Sequence, residues 1–487
     1  MTKRNLVTLT LAIAVFIGSI LMTPQIALAQ TTKTAKSETI IGIVVRIVND
    51  SNIANSESES WYMLQTAKRF YYLDGDNEDF SAAEGQLVKI QGVNDGNRIS
   101  VREMDFTPKE TRSFGEFPQG QNEFDSESKR FPAQVSNFLG VPASTMGIRS
   151  VYIVNVNFQN DPSTPATAEM INTAVFTGSY SANNFFQEAS FYKFGISGTV
   201  HPNWITIPIS NANCLDNMTA SWTQAVNNIM AGTPGWDQAL SRVINWPEIP
   251  GCNYSALGTV GSRGNTETVQ YSWLQLTPST LANGMAYYID YFCHEEGHHL
   301  GNNHSGGITP AGTVTDASDR ADFMGIRFRY PNLYNRLALG WSNGKVATLS
   351  GPGSYTITLF PTDHTARRGI KGVIIQLKDS SGNSSPQFMS LETRRKFRYD
   401  DFHAQYNAYI FGGIGIRYGA VDMAPNASRP FLLDTTPGSL TGFDDAPLAV
   451  PMLDQRSIYT DLQYGVTVEV ISHSLVGGTK VLVTLTR

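Results

Sequence analysis

The segment His294-Glu295-Glu296-Gly297-His298-His299-Leu300-Gly301-Asn302-Asn303-His304 constrains this chain more than any other stretch. Of the 8 histidines in the 487 residues, four fall inside it. The preceding Met285-Ala286-Tyr287-Tyr288-Ile289-Asp290-Tyr291-Phe292 reads as helix, so His294 and His298, four apart, share one helix face. Two imidazoles one turn apart can grip a single metal ion. Glu295, offset around the axis, stands beside that ion without ligating it. Gly301 permits the left-handed residue that ends a helix and turns the chain. His304 can then return to the same point as a third nitrogen ligand. Three neutral imidazoles leave an open position for water, the pattern of a catalytic rather than a structural zinc site. H-E-x-x-H-x-x-G-x-x-H arises by chance on the order of once in a hundred thousand chains of this composition. His299 lies about 100° around the helix from His298 and is expected to pack or hydrogen-bond rather than ligate. The isolated His201, His364, His403 and His473 receive no role.

Compartment is read from the first thirty residues. Lys3 and Arg4 precede an apolar run over 6–22, and Ala27-Leu28-Ala29 supplies small residues at signal-peptidase spacing. This pattern predicts a secretory signal over residues 1–29, cleaved after Ala29, with Pro24 arguing against an uncleaved anchor. No later run is long enough to span a bilayer, so no integral membrane segment is expected after cleavage. In an oxidising compartment two of the three cysteines can pair. Cys214 and Cys252 sit in loop-like stretches and are the expected disulfide, whereas Cys293 falls inside the helical pattern as a small buried thiol. The formal net charge of -6 gives no reason to expect nucleic acid as a partner.

The rest of the chain divides by pattern into a multidomain protein. Residues 30–106 show five short β segments separated by turns and resemble a small OB-like β-barrel, a candidate prodomain. With 12 acidic against 6 basic residues over 38–106, oligonucleotide binding is not expected there. Residues 107–147 are polar and Pro-containing and read as a linker. Residues 148–345 mix strands and helices, an α+β unit, with helical patterns over 165–176, 182–188, 220–230 and 236–244. Residues 346–487 lose the helical pattern and read as an antiparallel β-sandwich.

The extended histidine motif resembles that of the metzincin metallopeptidases, which carry a methionine in a tight turn beneath the zinc. Met324, in Asp322-Phe323-Met324-Gly325, stands where that part is expected. Within that group, Val156-Asn157-Phe158, the Phe185-Phe186-Gln187-Glu188-Ala189-Ser190-Phe191-Tyr192-Lys193-Phe194 stretch, His304-Ser305 and Leu339-Gly340-Trp341 are similar to the gametolysin-type (peptidase M11) family. The resemblance covers about residues 148–345 and implies a zinc endopeptidase domain. It departs at two points. Ile326 stands where some branches have a zinc-reaching tyrosine, and no cysteine lies between residues 30 and 213 to act as a thiol switch.

The resulting expectation is a secreted zinc metalloendopeptidase acting on extracellular or cell-wall proteins or glycoproteins. Its zinc is held by His294, His298 and His304, Glu295 serves as general base, and Met324 and Gly301 give structural support. By the resemblance, an extended peptide lies along a sheet edge above the helix, for which Val269-Gln270-Tyr271-Ser272-Trp273 is the candidate. Two alternatives stand beside it: an adhesive or carbohydrate-binding surface protein with a vestigial metal site, and zinc amidase or esterase chemistry. Calcium is a second candidate ion, through Asp316, Asp319 and Asp322, which can equally support the zinc ligands. The stretch Asp74-Gly75-Asp76-Asn77-Glu78-Asp79 lacks the Gly and terminal Glu of an EF-hand loop and reads as an acidic hairpin turn. Oligomeric state is not read from the sequence.

Overall fold

In a computed structural model, the described residues are 36–49, 59–66, 69–84, 86–105, 145–212, 214–252, 254–261, 268–325, 328–342, 345–362, 369–401, 413–420, 429–436, 448–449, 457–474 and 478–487. The signal, most of the 107–147 segment, Ile326, His364 and His403 lie outside them. Strands β1 (Lys36–Asn49), β2 (Glu59–Gln65), β3 (Phe70–Asp74), β4 (Leu87–Asn94) and β5 (Arg98–Asp105) pair in the cycle β1–β2–β3–β5–β4–β1, which closes them into a small barrel. Alternation makes this possible: β4 turns Val88 and Ile90 inward, where they meet Val44, Leu64, Phe80 and Ile99. Phe80 comes from a helix, Asn77–Ala83, that stands where an acidic hairpin turn was expected. Asp76 caps it by accepting from the Glu78 amide at 2.8 Å, and Glu78 and Asp79 favour its first turn.

The barrel is not a free-standing bead. It shares an eleven-stranded sheet with β6 (Gly147–Phe158), β7 (Phe194–Val200), β8 (Ile205–Ile207), β9 (Ser241–Pro247), β10 (Ala256–Val260) and β11 (Gln270–Leu276), in the order β2-β3-β5-β4-β1-β10-β11-β9-β6-β7 with β8 on β6. β7, β6, β9 and β11 run parallel to one another, while β10 is antiparallel to both β11 and β1. Nearly every residue of β6, β9 and β11 is buried, because a parallel sheet is covered on both faces. One face meets Tyr288, Ile289 and Phe292 of the long helix Pro278–His299. On the other, Trp246 of β9 packs with Trp222 and Trp236 and with Val45, Ile47, Met63 and Phe70 of the barrel. The helix expected over 236–244 ends instead at Gln238, and Ser241–Pro247 is a buried strand. The Val269–Trp273 stretch is not an edge, since β11 lies between β10 and β9.

The C-terminal part forms a second, twelve-stranded sheet, largely antiparallel, around a core that includes Ile357, Val373, Met389, Ile414, Val468 and Val483. Three of its pairings are parallel: Lys345–Leu349 and Gly353–Leu359 each on Ile370–Lys378, and β12 (Gly306–Ile308) on Phe431–Leu433. β12 begins two residues after His304, so the histidine loop is itself hydrogen-bonded into this sheet. The described residues between Lys36 and Arg487 pack as one compact unit. A disulfide joins Cys214 and Cys252, and Cys293 is a buried thiol. No helix among the described residues is long and apolar enough to cross a membrane.

Candidate metal centre

The long helix starts in a capping box, with Thr277 Oγ1 accepting from the Thr280 amide at 3.1 Å and Thr280 Oγ1 from the Thr277 amide at 2.7 Å. It breaks once, where Asn283, Gly284 and Met285 take φ of +52°, +67° and +67°, and the ligand-bearing turns follow that step. The far end closes at Gly301, φ +85°, with the Gly301 amide donating to His298 O and the Asn302 amide to Gly297 O. This turn carries His304 back against the helix. The imidazoles of His294, His298 and His304 have centroids 4.9, 5.0 and 5.2 Å apart, and their ligand nitrogens lie within 4.8 Å of one another.

Each ring is oriented through its Nδ1. His294 Nδ1 faces Phe323 O at 2.8 Å, His298 Nδ1 faces Asn302 O at 2.9 Å, and His304 Nδ1 faces Asp316 Oδ2 at 3.2 Å. An oxygen at Nδ1 holds the proton there and leaves the Nε2 lone pair for a metal. Three neutral nitrogens with fixed tautomers fit a divalent ion of borderline softness, and no other such group occurs among the described residues. His299 turns into the sheet, with Nδ1 near Glu296 Oε2 at 3.0 Å and Nε2 near Ser272 Oγ at 3.0 Å. Arg149 Nε meets Glu296 Oε1 at 2.9 Å. Burial pushes the Glu296 carboxyl up, but His299, Arg149 and Ser241 outweigh it and hold it below the ordinary glutamate value.

Two glycines make room for the chemistry. A Cβ on Gly258 of β10 would sit 2.4 Å from Glu295 Oε2, so this strand residue lies directly against the Glu295 carboxylate. A Cβ on Gly297 would sit 2.3 Å from Met324 Sδ, which places the methionine against the helix between His294 and His298. Neither glycine was marked in the sequence as part of the site; the signal for Gly297 is its place between the two helical ligands.

The three aspartates serve different ends. Asp316 braces His304 and pairs with Arg429, which lies just before the strand Phe431–Leu433. Asp319 takes the buried Arg417 guanidinium at 2.6 and 3.2 Å, and Arg417 also donates to Glu392 at 2.7 Å. Asp322 accepts from Ser305 Oγ, the Met324 amide and Asn335 Nδ2 at 2.8, 2.8 and 2.9 Å. Asp316 and Asp319 thus tie the His304 turn to arginines of the C-terminal part, and Asp322 ties Ser305 to the Met324 turn. No protein-family model matches this chain, and no curated protein matches it.

Proposed function

We propose that this chain is a secreted zinc-dependent endopeptidase that hydrolyses peptide bonds of extracellular or cell-wall proteins, with a metzincin-like catalytic unit. The observation that carries the reading is the convergence of His294, His298 and His304 with Glu295 buried beside them. Zinc held by the three histidines supplies Lewis acidity and lowers the pKa of water toward neutrality. The chain's own groups do the rest. Phe323 O, Asn302 O and Asp316 hold the ring protons on Nδ1. The Glu295 carboxylate takes a proton from the attacking water and delivers it to the leaving amine. Placing it on the same rigid helix as two ligands fixes the base relative to the metal. Met324 fills the space beneath the ligand pair by packing on Gly297. The Cys214–Cys252 disulfide agrees with an oxidising compartment.

The test is cleavage of denatured casein by the zinc-loaded chain, by the chelated chain and by Glu295→Ala. Loss of the base is expected to lower the rate on the order of 10²- to 10⁴-fold with zinc retained. Equal, measurable rates in all three would end the reading. Bound zinc at less than stoichiometric amounts, with retained binding to cell-wall material, would favour the adhesive alternative.

A further inference from the structure

A strand edge next to a reactive centre is a template for an extended peptide, because its unpaired N–H and C=O groups can form one more ladder. β10 passes directly over Glu295 at Gly258, so its outer edge is the one beside the metal centre. That edge is already taken. The last residues of β1 lie along it in antiparallel register, Arg46 opposite Val260, Ile47 opposite Thr259, Val48 opposite Gly258 and Asn49 opposite Leu257. We propose that residues 46–49 are an intramolecular inhibitor: the barrel strand fills the peptide-binding edge of β10, and substrate enters only when it leaves. This rests on the peptidase reading and adds the regulation of the same site.

Three independent features support it. The first is facing. Residues directly opposite in an antiparallel pair share a face, so Val48 lies on the face that Gly258 turns toward Glu295, and Arg46 on the same face. Arg46 reaches past the ladder and donates to Asn303 Oδ1, one residue before the ligand His304. The second is burial. Glu295 and His298 are 0% exposed, His304 3% and His294 4%. A scissile carbonyl must come to roughly 3–3.5 Å of the attacking group, and with β1 in place little of these side chains meets solvent. The third is anchoring. On the opposite face Val45 and Ile47 join the apolar cluster of Trp273 and Tyr271, with the Phe70 ring 5.1 Å from Tyr271 and 5.9 Å from Trp273. Gln65 Nε2 donates to Val269 O at 3.0 Å. The cover is therefore built from strand pairing and apolar packing, in a chain with no cysteine between residues 30 and 213 to cap the metal.

The experiment uses the zinc-loaded full chain, with Val48→Pro to break the ladder and Arg46→Glu to remove the donor to Asn303 while leaving every backbone donor in place. A fluorescent peptidyl hydroxamate reports access to the metal, amide exchange over 46–49 and 257–260 reports strand release, and casein hydrolysis is followed in parallel. Both variants are expected to bind the probe roughly ten-fold faster or more than the wild type, since access scales with the open fraction, and the 46–49 amides that face β10 lose protection while those paired with β2 keep it. Arg46→Glu decides alone if Val48→Pro does not fold. Equal probe-binding rates in the wild type and in a folded variant whose 46–49 amides facing β10 have lost protection would overturn the proposal. Faster probe binding without hydrolysis in any form would uphold the cover and refute the peptidase.

Discussion

Gly258→Ala separates the base from the metal. The added methyl would stand 2.4 Å from Glu295 Oε2 and 3.5 Å from the Glu295 Cβ and Cδ. Only the first contact is too close, and it is with the free end of a side chain, whereas the β10 backbone is held between β1 and β11. The carboxylate therefore yields, by about 1 Å, and a displacement of that size costs on the order of 10²-fold in rate. That corresponds to about 2.7 kcal/mol of transition-state stabilisation. Stability barely moves: Ala gains about 0.5–1 kcal/mol over Gly in a strand, offsetting about 0.5–1.5 kcal/mol of rotamer strain in Glu295. The assay is kcat/KM on a quenched peptide for Gly258→Ala made in the opened Val48→Pro chain against Val48→Pro alone, with zinc content and melting temperature measured on the same samples. Activity within about threefold of Val48→Pro alone at equal zinc, less than 1 kcal/mol in the barrier, would refute the placement of Glu295. Lost zinc or a collapsed melting temperature would do the same.

Arg417→Ala leaves Asp319 as a buried carboxylate without its guanidinium and Glu392 with Arg394 alone, a loss expected at about 3–5 kcal/mol and visible as a lowered denaturant midpoint. Because Asp319 belongs to the turn that carries Met324, zinc affinity is expected to fall with it; unchanged stability would mean the two sheets are not joined through this pair. Glu296→Gln strands the buried Arg149. The Glu296 carboxyl is held below its ordinary value, so it adds stability above about pH 4.3 that is lost as pH falls through the folded value. The wild type is therefore expected to exceed the variant at neutral pH, with the gap closing in acid; a gap that widens in acid contradicts the pairing. Opening the Cys214–Cys252 bridge, which spans 38 residues, is expected to cost about 3–4 kcal/mol by loop entropy, read from denaturant melts of Cys214→Ser/Cys252→Ser.

Local chemistry was legible in the sequence. The spacing of His294 and His298, the left-handed turn at Gly301 and the return of His304 are set within eleven residues, so periodicity and one glycine suffice to foresee them. The five barrel strands and the C-terminal ladders were equally readable from alternation. What could not be read is pairing between distant segments. β10 and β11 are both short buried strands, and nothing local says which of them borders β1, so the stretch at 269–273 was taken for the edge. Leu240, Val243 and Ile244 fall at spacings of three and four, which mimic a helix face, yet they belong to the approach to β9 and to β9 itself. Gly258, Arg417 and Asp316 matter through partners tens to hundreds of residues away, and a buried arginine in a strand carries no local mark of the aspartate it will meet.

The measurement that bears most directly on the central claim is the appearance of new peptide N-termini when a denatured protein substrate is incubated with the zinc-loaded Val48→Pro chain, compared with Val48→Pro/Glu295→Ala at equal zinc. Hydrolysis at internal bonds by the first and a rate lower by about 10² or more in the second is the predicted result. Zinc bound by His294, His298 and His304 in both chains, with no new N-termini from either, would contradict it.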